Sequence, residues 1–343
     1  MIVLGKERPV AYDWRPDILG PGFESVVLDL PSPSGVRATL VRYVPEDAEP
    51  LSGGHAVLYL HGWSDYFFNT ELAGFWHGQG VAFYALDMHN HGRSLRDGDV
   101  PGFVADLHEY EDEITLALKL AGADMARRSG VPDGPGGEPR LTLMGHSTGG
   151  LVAALWAADH PGQLQALVLN SPWLEMHHSP LVRHAAASVL QPLSRFRPAA
   201  RLRIPARGFY YRSISKSADG EWEPDPVLRP PGSFPIHAGW LSAVWRGQAR
   251  VARGLGIEVP VLVLASGRSL NGPVWHEEMM AADVVLDVET MSARTVKLGR
   301  SVALERIDGA LHDVFLSRPE VRRDAYERLR RWARAYILPP DGP

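Results

Sequence analysis

The sequence predicts an α/β fold, in which helices flank a mostly parallel central sheet and a cap is inserted into the chain. From about residue 55 to residue 170, short apolar runs typical of strands buried on both faces alternate with segments of helical periodicity. This alternation indicates a parallel sheet covered on both faces. It stops near residue 174 and resumes at an apolar run over 259–265. We therefore expect an insertion into one sheet, and not a second domain with its own sheet.

Length and composition fit this organisation. A chain of 343 residues, 45% of them hydrophobic, can bury one large core. We expect residues 1–173 and 255–343 to form the core domain and residues 174–254 to form the cap. A net charge of −5 gives no electrostatic reason to expect nucleic acid as a partner. The absence of cysteine excludes disulfides, catalytic thiolates and Cys-based metal sites.

The sequence gives no indication of a targeting or membrane segment. Its first residues lack a basic stretch followed by a long apolar run, so no signal peptide is expected. No apolar run reaches the length that spans a bilayer. We expect a cytoplasmic protein without stable membrane insertion, and the oligomeric state is left open.

The individual elements follow from apolar patterning and from the Pro- and Gly-rich stretches between them. Two strands that form a hairpin are predicted over 24–30 and 36–44. Strands in the alternating part are predicted over 55–60, 81–86, 140–145, 166–170, 259–265 and 301–307. Helices are predicted directly after residue 147 and over 72–79, 107–128 and 321–336. Residues 1–22 are expected to be irregular.

Ser147 is the candidate nucleophile. It lies in Gly-His-Ser-Thr-Gly, between an apolar strand and an Ala- and Leu-rich helix that follows without a linker. This context is typical of a nucleophile elbow, a turn so sharp that Gly145 and Gly149 can carry no side chain. The N-terminus of the following helix favours negative charge beside the serine hydroxyl. The alternative interpretation is a glycine-rich turn that only joins a strand to a helix.

The chain resembles the α/β-hydrolase superfamily, in particular its monoacylglycerol-lipase-like, serine-aminopeptidase-type branch. The resemblance covers roughly residues 24–175 and 255–336. It rests on four segments: His61-Gly62-Trp63, Asp87 with Gly92-Arg93-Ser94, Gly145 to Gly150, and Gly309-Ala310-Leu311-His312-Asp313. It implies an α/β-hydrolase fold and a Ser, Asp or Glu, His catalytic triad in that chain order.

A serine hydroxyl needs a base to become a good nucleophile, and the resemblance assigns this role to His312, which follows a late strand across a glycine turn. An acid must orient that base. The family normally has its acid shortly after the strand over 261–265, where this chain has no carboxylate. We favour Asp283 as the acid and keep Asp287 as the alternative. Other carboxylates between the strands are Glu277, Glu278 and Glu289.

Two backbone N–H groups are expected to form the oxyanion hole. One belongs to Thr148, the residue after the nucleophile, and the resemblance assigns the other to Trp63 after His61-Gly62. Gly62 lets the backbone approach the reacting atoms closely. The interpretation without a catalytic role is that Trp63 is a packing residue.

No metal or other cofactor is expected. Three histidines, His61, His89 and His91, follow neighbouring strands and could meet at one sheet edge, as could His177 and His178, but their turns have structural roles in this fold. The segment around Ser147 lacks the Lys-Ser/Thr ending of a phosphate-binding loop. We interpret His146 as a packing residue and not as the base.

These observations predict a serine hydrolase that cleaves carboxylic esters through an acyl-enzyme on Ser147. Aromatic and apolar residues of the cap favour an apolar acyl or aromatic small-molecule substrate. One alternative is an amide or peptide hydrolase of the proline-aminopeptidase type, which needs a cap carboxylate to hold a substrate amine. The candidates for that carboxylate are Glu175, Glu221, Glu223 and Asp225. Another alternative is a non-catalytic binding module on the same fold.

Overall fold

The computed structural model describes residues 12–30, 35–46, 51, 54–130, 139–176, 190–204 and 207–338. Within these ranges one sheet contains nine strands in the order β1-β2-β3-β5-β4-β6-β7-β8-β9. The strands are β1 (Arg15–Pro16), β2 (Phe23–Asp29), β3 (Arg37–Tyr43), β4 (His55–Leu60), β5 (Ala82–Asp87), β6 (Arg140–His146), β7 (Ala166–Asn170), β8 (Val261–Ser266) and β9 (Val302–Ile307). The expectation that residues 1–22 are irregular is wrong at β1, which pairs with β2.

The sheet is antiparallel at one side and parallel over the rest. Strands β1, β2, β3 and β5 pair antiparallel, whereas every pairing from β5 to β9 is parallel. This confirms the predicted fold class. In the parallel register Leu60 pairs with Gly145, and Gly145 pairs with Leu169. The carboxyl ends of β4, β6 and β7 therefore meet at one edge, which is where ligands bind in open α/β sheets.

Helices cover both faces of the sheet. They are α1 (Thr70–His77), α2 (Glu111–Ser129), α3 (Thr148–Asp159), α4 (Phe209–Ile214), α5 (Ala238–Arg253), α6 (Val288–Thr295) and α7 (Pro319–Tyr336), and residues 190–196 are also helical. The sheet has a hydrophobic core on each face, and successive side chains of β4 belong to different cores. Leu58 packs with α2, α3 and α5, whereas Val57 packs with α1 and α7. None of the helices in the described ranges is both long and apolar enough to cross a membrane.

The predicted cap segment lies between β7 and β8. Its residues 177–189 and 205–206 fall outside the described residues. The described part contains α4 and α5, and Gly247 of α5 packs against Leu151 and Leu155 of α3. The predicted boundaries, residues 174 and 254, stay a prediction.

Candidate active site

The Ser147 turn is held by close backbone packing on both sides. Ser147 connects β6 directly to α3. Its backbone has φ +53° and ψ −117°, a conformation that residues other than glycine rarely adopt. A Cβ atom on Gly145 would lie 2.5 Å from the carbonyl oxygen of Gly149, and a Cβ atom on Gly149 would lie 2.2 Å from that of His61. Both distances are too short for a carbon atom, so this geometry requires glycine at both positions.

Gly149→Ala is expected to destabilise the fold by about 3 kcal/mol or more, because its methyl group would force apart the backbones of α3 and β4. The matched control is Gly74→Ala in α1, where a Cβ atom meets nothing within 4 Å. That substitution should instead stabilise the protein by about 0.5–1 kcal/mol through helix propensity. Urea unfolding of the two variants measures both effects, and equal stabilities would contradict the packing argument.

Ser147, His312 and Asp283 form one hydrogen-bonded chain. His312 Nε2 lies 3.0 Å from Ser147 Oγ, and His312 Nδ1 lies 2.8 Å from Asp283 Oδ2. All three side chains are buried. The second oxygen of Asp283 accepts the N–H groups of Val285 and Leu286, so the carboxylate is fixed in position. This arrangement can move a proton between the serine and the imidazole while the carboxylate orients the ring.

The two candidate acids lie in different places. Asp287 caps the N-terminus of α6, where its side chain accepts the N–H of Thr290. Asp283 instead returns to the end of β8, because its backbone N–H donates to Arg268 and its carbonyl accepts from Leu270. The chain thus places a carboxylate beside β8 even though the sequence directly after that strand contains none.

The backbone at Trp63 and Thr148 surrounds the serine. A Cβ atom on Gly62 would lie 3.3 Å from Cβ of Ser147, so the turn after β4 approaches the serine closely. Thr148 is the first residue of α3. Within the described ranges, neither the Trp63 nor the Thr148 N–H has a hydrogen-bond acceptor. The Trp63 ring packs 4.7 Å from that of Trp240.

A buried polar network behind His312 was not predicted. Asn170, the last residue of β7, donates to Asp313 Oδ1 at 2.6 Å and accepts the N–H of Val314. His146 Nδ1 lies 3.1 Å from the Asn170 carbonyl oxygen, and burial lowers the pKa of His146 well below its ordinary value. A neutral His146 fits the interpretation that this residue packs in the elbow. Its ring lies 4.8 Å from that of His312.

Asp313 is expected to make stability depend on pH. Burial raises its pKa to about 6, against a lowering by its bonds to Asn170 and Phe315. The folded protein therefore keeps a proton that the unfolded chain releases near pH 4. This contribution to the free energy of unfolding is complete below about pH 4 and is lost as the pH rises through 6, an effect on the order of 2 kcal/mol.

Asp313→Asn should reduce this loss of stability between pH 4 and pH 7.5, measured by urea unfolding at both pH values. The control is Asp308→Asn, which alters an exposed carboxylate five residues earlier in the chain. A pH dependence that is unchanged in Asp313→Asn would contradict the assignment.

Comparison with known proteins identifies the family. A family model described as serine aminopeptidase, S33, matches residues 54–317. The chain belongs to this family. A monoacylglycerol lipase from Mycolicibacterium smegmatis is 25% identical over 291 residues, which cover 82% of this chain and 88% of that protein. A (Lyso)-N-acylphosphatidylethanolamine lipase from Bos taurus is 23% identical over 275 residues, which cover 72% and 70% of the two chains.

Solved structures share the fold of this family member. The Paleococcus ferrophilus monoacylglycerol lipase superposes with a TM-score of 0.60 at 20% identity, covering 84% of this chain and 96% of the other. A soluble variant of the Saccharomyces cerevisiae monoglyceride lipase superposes with a TM-score of 0.62 at 12% identity, covering 95% of both chains. These likenesses confirm the α/β-hydrolase fold. The family model and the curated relatives identify the chain as a hydrolase.

The histidine cluster of this hydrolase binds its own backbone and a carboxylate. His61 Nδ1 lies 2.6 Å from the Gly62 carbonyl oxygen, and its Nε2 accepts the N–H of Met88, so both ring nitrogens are occupied. His89 Nδ1 lies 3.0 Å from the buried Glu113. Among the described residues no group of His, Asp or Glu side chains has a metal-binding arrangement. His177 and His178 lie outside the described residues.

Three residues connect the predicted cap segment to the turn after β4 and to His312. Arg229 Nε lies 3.0 Å from Asp65 Oδ1, and the two side chains are almost completely buried. Burial raises the pKa of Asp65 to about 6, although Arg229 opposes the shift. Arg229 also lies over the ring of Tyr210, which contacts His312 edge-on with centroids 5.0 Å apart. No periodic pattern in the sequence could have identified these residues.

Proposed function

We propose that this hydrolase cleaves carboxylic esters through an acyl-enzyme intermediate on Ser147. The observation that carries the proposal is the continuous chain from Ser147 Oγ through His312 to Asp283, with distances of 3.0 and 2.8 Å. The backbone N–H groups of Trp63 and Thr148, which have no acceptor in the described part of the chain, flank the same serine. The cytoplasmic location and the lack of a cofactor stay predictions.

In this mechanism His312 Nε2 takes the proton of Ser147 while Oγ attacks the ester carbonyl carbon. The Trp63 and Thr148 N–H groups stabilise the resulting oxyanion, and each such donor contributes about 3 kcal/mol to transition-state stabilisation. The intermediate collapses as His312 gives its proton to the departing alcohol. Water, activated by the same imidazole, then releases the acid from Ser147. Asp283 keeps the Nδ1–H tautomer of His312 in place and stabilises the imidazolium.

Lipid-like or small acyl and aryl esters are the proposed substrates. The relatives from M. smegmatis and Bos taurus are described as a monoacylglycerol lipase and a (Lyso)-N-acylphosphatidylethanolamine lipase. The partly exposed rings of Trp63 and Trp173 pack on the buried ring of Trp240 beside the serine turn, at centroid distances of 4.7 and 5.9 Å. Such aromatic surface suits an apolar acyl chain or an aromatic group better than a charged peptide terminus.

The carboxylates that an aminopeptidase would use to hold a substrate amine already have partners. Glu175 pairs with Arg294. Glu221 pairs with Arg322, and the exposed Glu223 pairs with Lys216. Asp225 is exposed and accepts the N–H of Val227. Their engagement favours ester hydrolysis over cleavage of an aminoacyl amide.

The test is to treat the purified protein with a fluorophosphonate probe and to compare p-nitrophenyl esters of increasing acyl length with aminoacyl p-nitroanilides. Labelling at Ser147 and turnover of esters at least about 100-fold faster than of anilides would support the proposal. Faster cleavage of the anilides would favour the peptide hydrolase instead. A folded protein that neither reacts with the probe nor cleaves any ester would favour the binding-module alternative.

A further inference from the structure

A cavity of about 220 Å³ lies beside the proposed catalytic residues. Trp63, whose backbone is a proposed oxyanion donor, lines this cavity, and so does Tyr210, whose ring contacts His312. Val284 and Val285, the two residues after Asp283, form part of another wall. One substituent of an ester bound at Ser147 can therefore extend into this cavity.

The charged side chains that line the cavity are positive. Of the described residues that line it, two are arginines, Arg207 and Arg229, and none carries a carboxylate. The remaining polar groups include the hydroxyl groups of Ser64, Tyr210 and Ser233. The guanidinium groups and the two serine hydroxyl groups provide donors for an oxyanion, whereas the Tyr210 hydroxyl lies 3.2 Å from His146 Nε2 and is already engaged.

Arg229 has a donor without an acceptor. Its side chain is only 5% exposed, and its Nε lies 3.0 Å from Asp65. Its Nη1 atom is buried and has no hydrogen-bond partner among the described residues. A buried donor left unpaired is unfavourable, so an acceptor brought by a ligand would be bound with a gain in free energy. Arg207 is exposed at the same cavity, where its Nη1 donates to the Gly272 carbonyl oxygen and its other N–H groups can meet a ligand.

We propose that this cavity binds an anionic group of the ester substrate, a carboxylate or a phosphate, through Arg229 and Arg207. This inference rests on the proposed ester hydrolysis and adds the substrate class to it. Phe209 and Tyr211 supply apolar wall beside the two arginines. The preferred substrate is thus an ester with an apolar part and one anionic end.

The experiment compares esters that differ only in the anionic group. In the carboxylate arm, p-nitrophenyl hydrogen adipate is compared with p-nitrophenyl methyl adipate. In the phosphate arm, 1-decanoylglycerol 3-phosphate is compared with 1-decanoylglycerol. We expect kcat/KM to be at least about tenfold higher for the anionic ester in one arm or both, since a charge-assisted hydrogen bond can contribute that factor. The arm that shows the preference identifies the anion.

Substitutions of the two arginines test whether they cause the preference for anionic esters. Arg207→Gln and Arg229→Lys should each lower the ratio of anionic to neutral kcat/KM about tenfold, mainly through KM. The exposed cap residue Arg203, which does not line the cavity, provides the control Arg203→Gln, in which the ratio should stay at the wild-type value. Equal rates of fluorophosphonate labelling in the wild type, Arg207→Gln and Arg203→Gln would show that the triad is intact. For Arg229→Lys the neutral ester provides the reference, because a shift of the turn held by the Arg229–Asp65 pair would affect the neutral and the anionic ester alike.

Equal kcat/KM values for anionic and neutral esters in both arms would overturn this inference and leave the proposed ester hydrolysis standing. A preference that persists in Arg207→Gln and Arg229→Lys would also overturn it. If no ester is cleaved and the probe does not react, the proposed function fails, and this inference fails with it.

Discussion

Ser147→Ala is expected to lower kcat for p-nitrophenyl esters by about 10⁴-fold or more and to abolish fluorophosphonate labelling. The reason is geometric: Oγ of Ser147 lies 3.0 Å from His312 Nε2, and both side chains are buried. Replacement by alanine removes the nucleophile, and the only atom lost from the packing is the hydroxyl oxygen with its proton. The free energy of unfolding should therefore change little, so the loss of turnover reports on chemistry and not on folding.

The matched control for this variant is Ser171→Ala. Ser171 follows the neighbouring strand β7, is also buried and also has a positive φ. Its Oγ atom has no hydrogen-bond partner among the residues that the structure describes. We expect this variant to retain most of the wild-type turnover. Full activity in Ser147→Ala, or equal losses in the two variants, would contradict the assignment of the nucleophile.

Asp283→Asn is expected to lower kcat by about 10⁴-fold, because an amide at this position supports the wrong tautomer of His312. The carboxylate lies 2.8 Å from His312 Nδ1. Because Asp283 is buried, no water molecule from the solvent can take over this hydrogen bond. The substitution is isosteric, so KM should change much less than kcat.

Substitutions of Asp287, the second candidate acid, distinguish a catalytic role from a helix-capping role. Asp287→Asn should keep nearly wild-type turnover, because asparagine also caps helices well. Asp287→Ala should lower stability by about 1 kcal/mol through loss of the bond to the Thr290 N–H. Loss of turnover in Asp287→Asn together with normal turnover in Asp283→Asn would show that the acid is assigned to the wrong residue.

Contacts from the cap segment fix the turn that carries the proposed oxyanion donor. Ser64 Oγ accepts the N–H of Phe234, and the Tyr66 hydroxyl accepts the N–H of Asp225. With the ion pair between Asp65 and Arg229, three consecutive residues after Trp63 are bound to one stretch of the cap. The position of the Trp63 N–H therefore depends on the cap as well as on β4.

The sequence alone determined the elements whose pattern is local. Strands such as β4 and β5 are buried on both faces and have almost continuous apolar sequences, so their positions could be predicted within a few residues. Gly145, Ser147 and Gly149 could be identified as an elbow because the sharp turn imposes its requirement on adjacent residues. His312 was found only with help from the family resemblance, since the chain has 14 histidines.

Only the tertiary structure decided which distant side chains meet. Asp283 and Asp287 are four residues apart with similar surroundings in sequence, and only the pairing of Asp283 with the segment after β8 brings its carboxylate to His312. The contacts of Arg229 with Asp65 and Tyr210 join parts of the chain with no common periodicity. Burial and turn geometry impose patterns on neighbouring residues, which a sequence shows directly. Contacts between separate segments depend instead on the order of strands in the sheet and on the path of the loops between them.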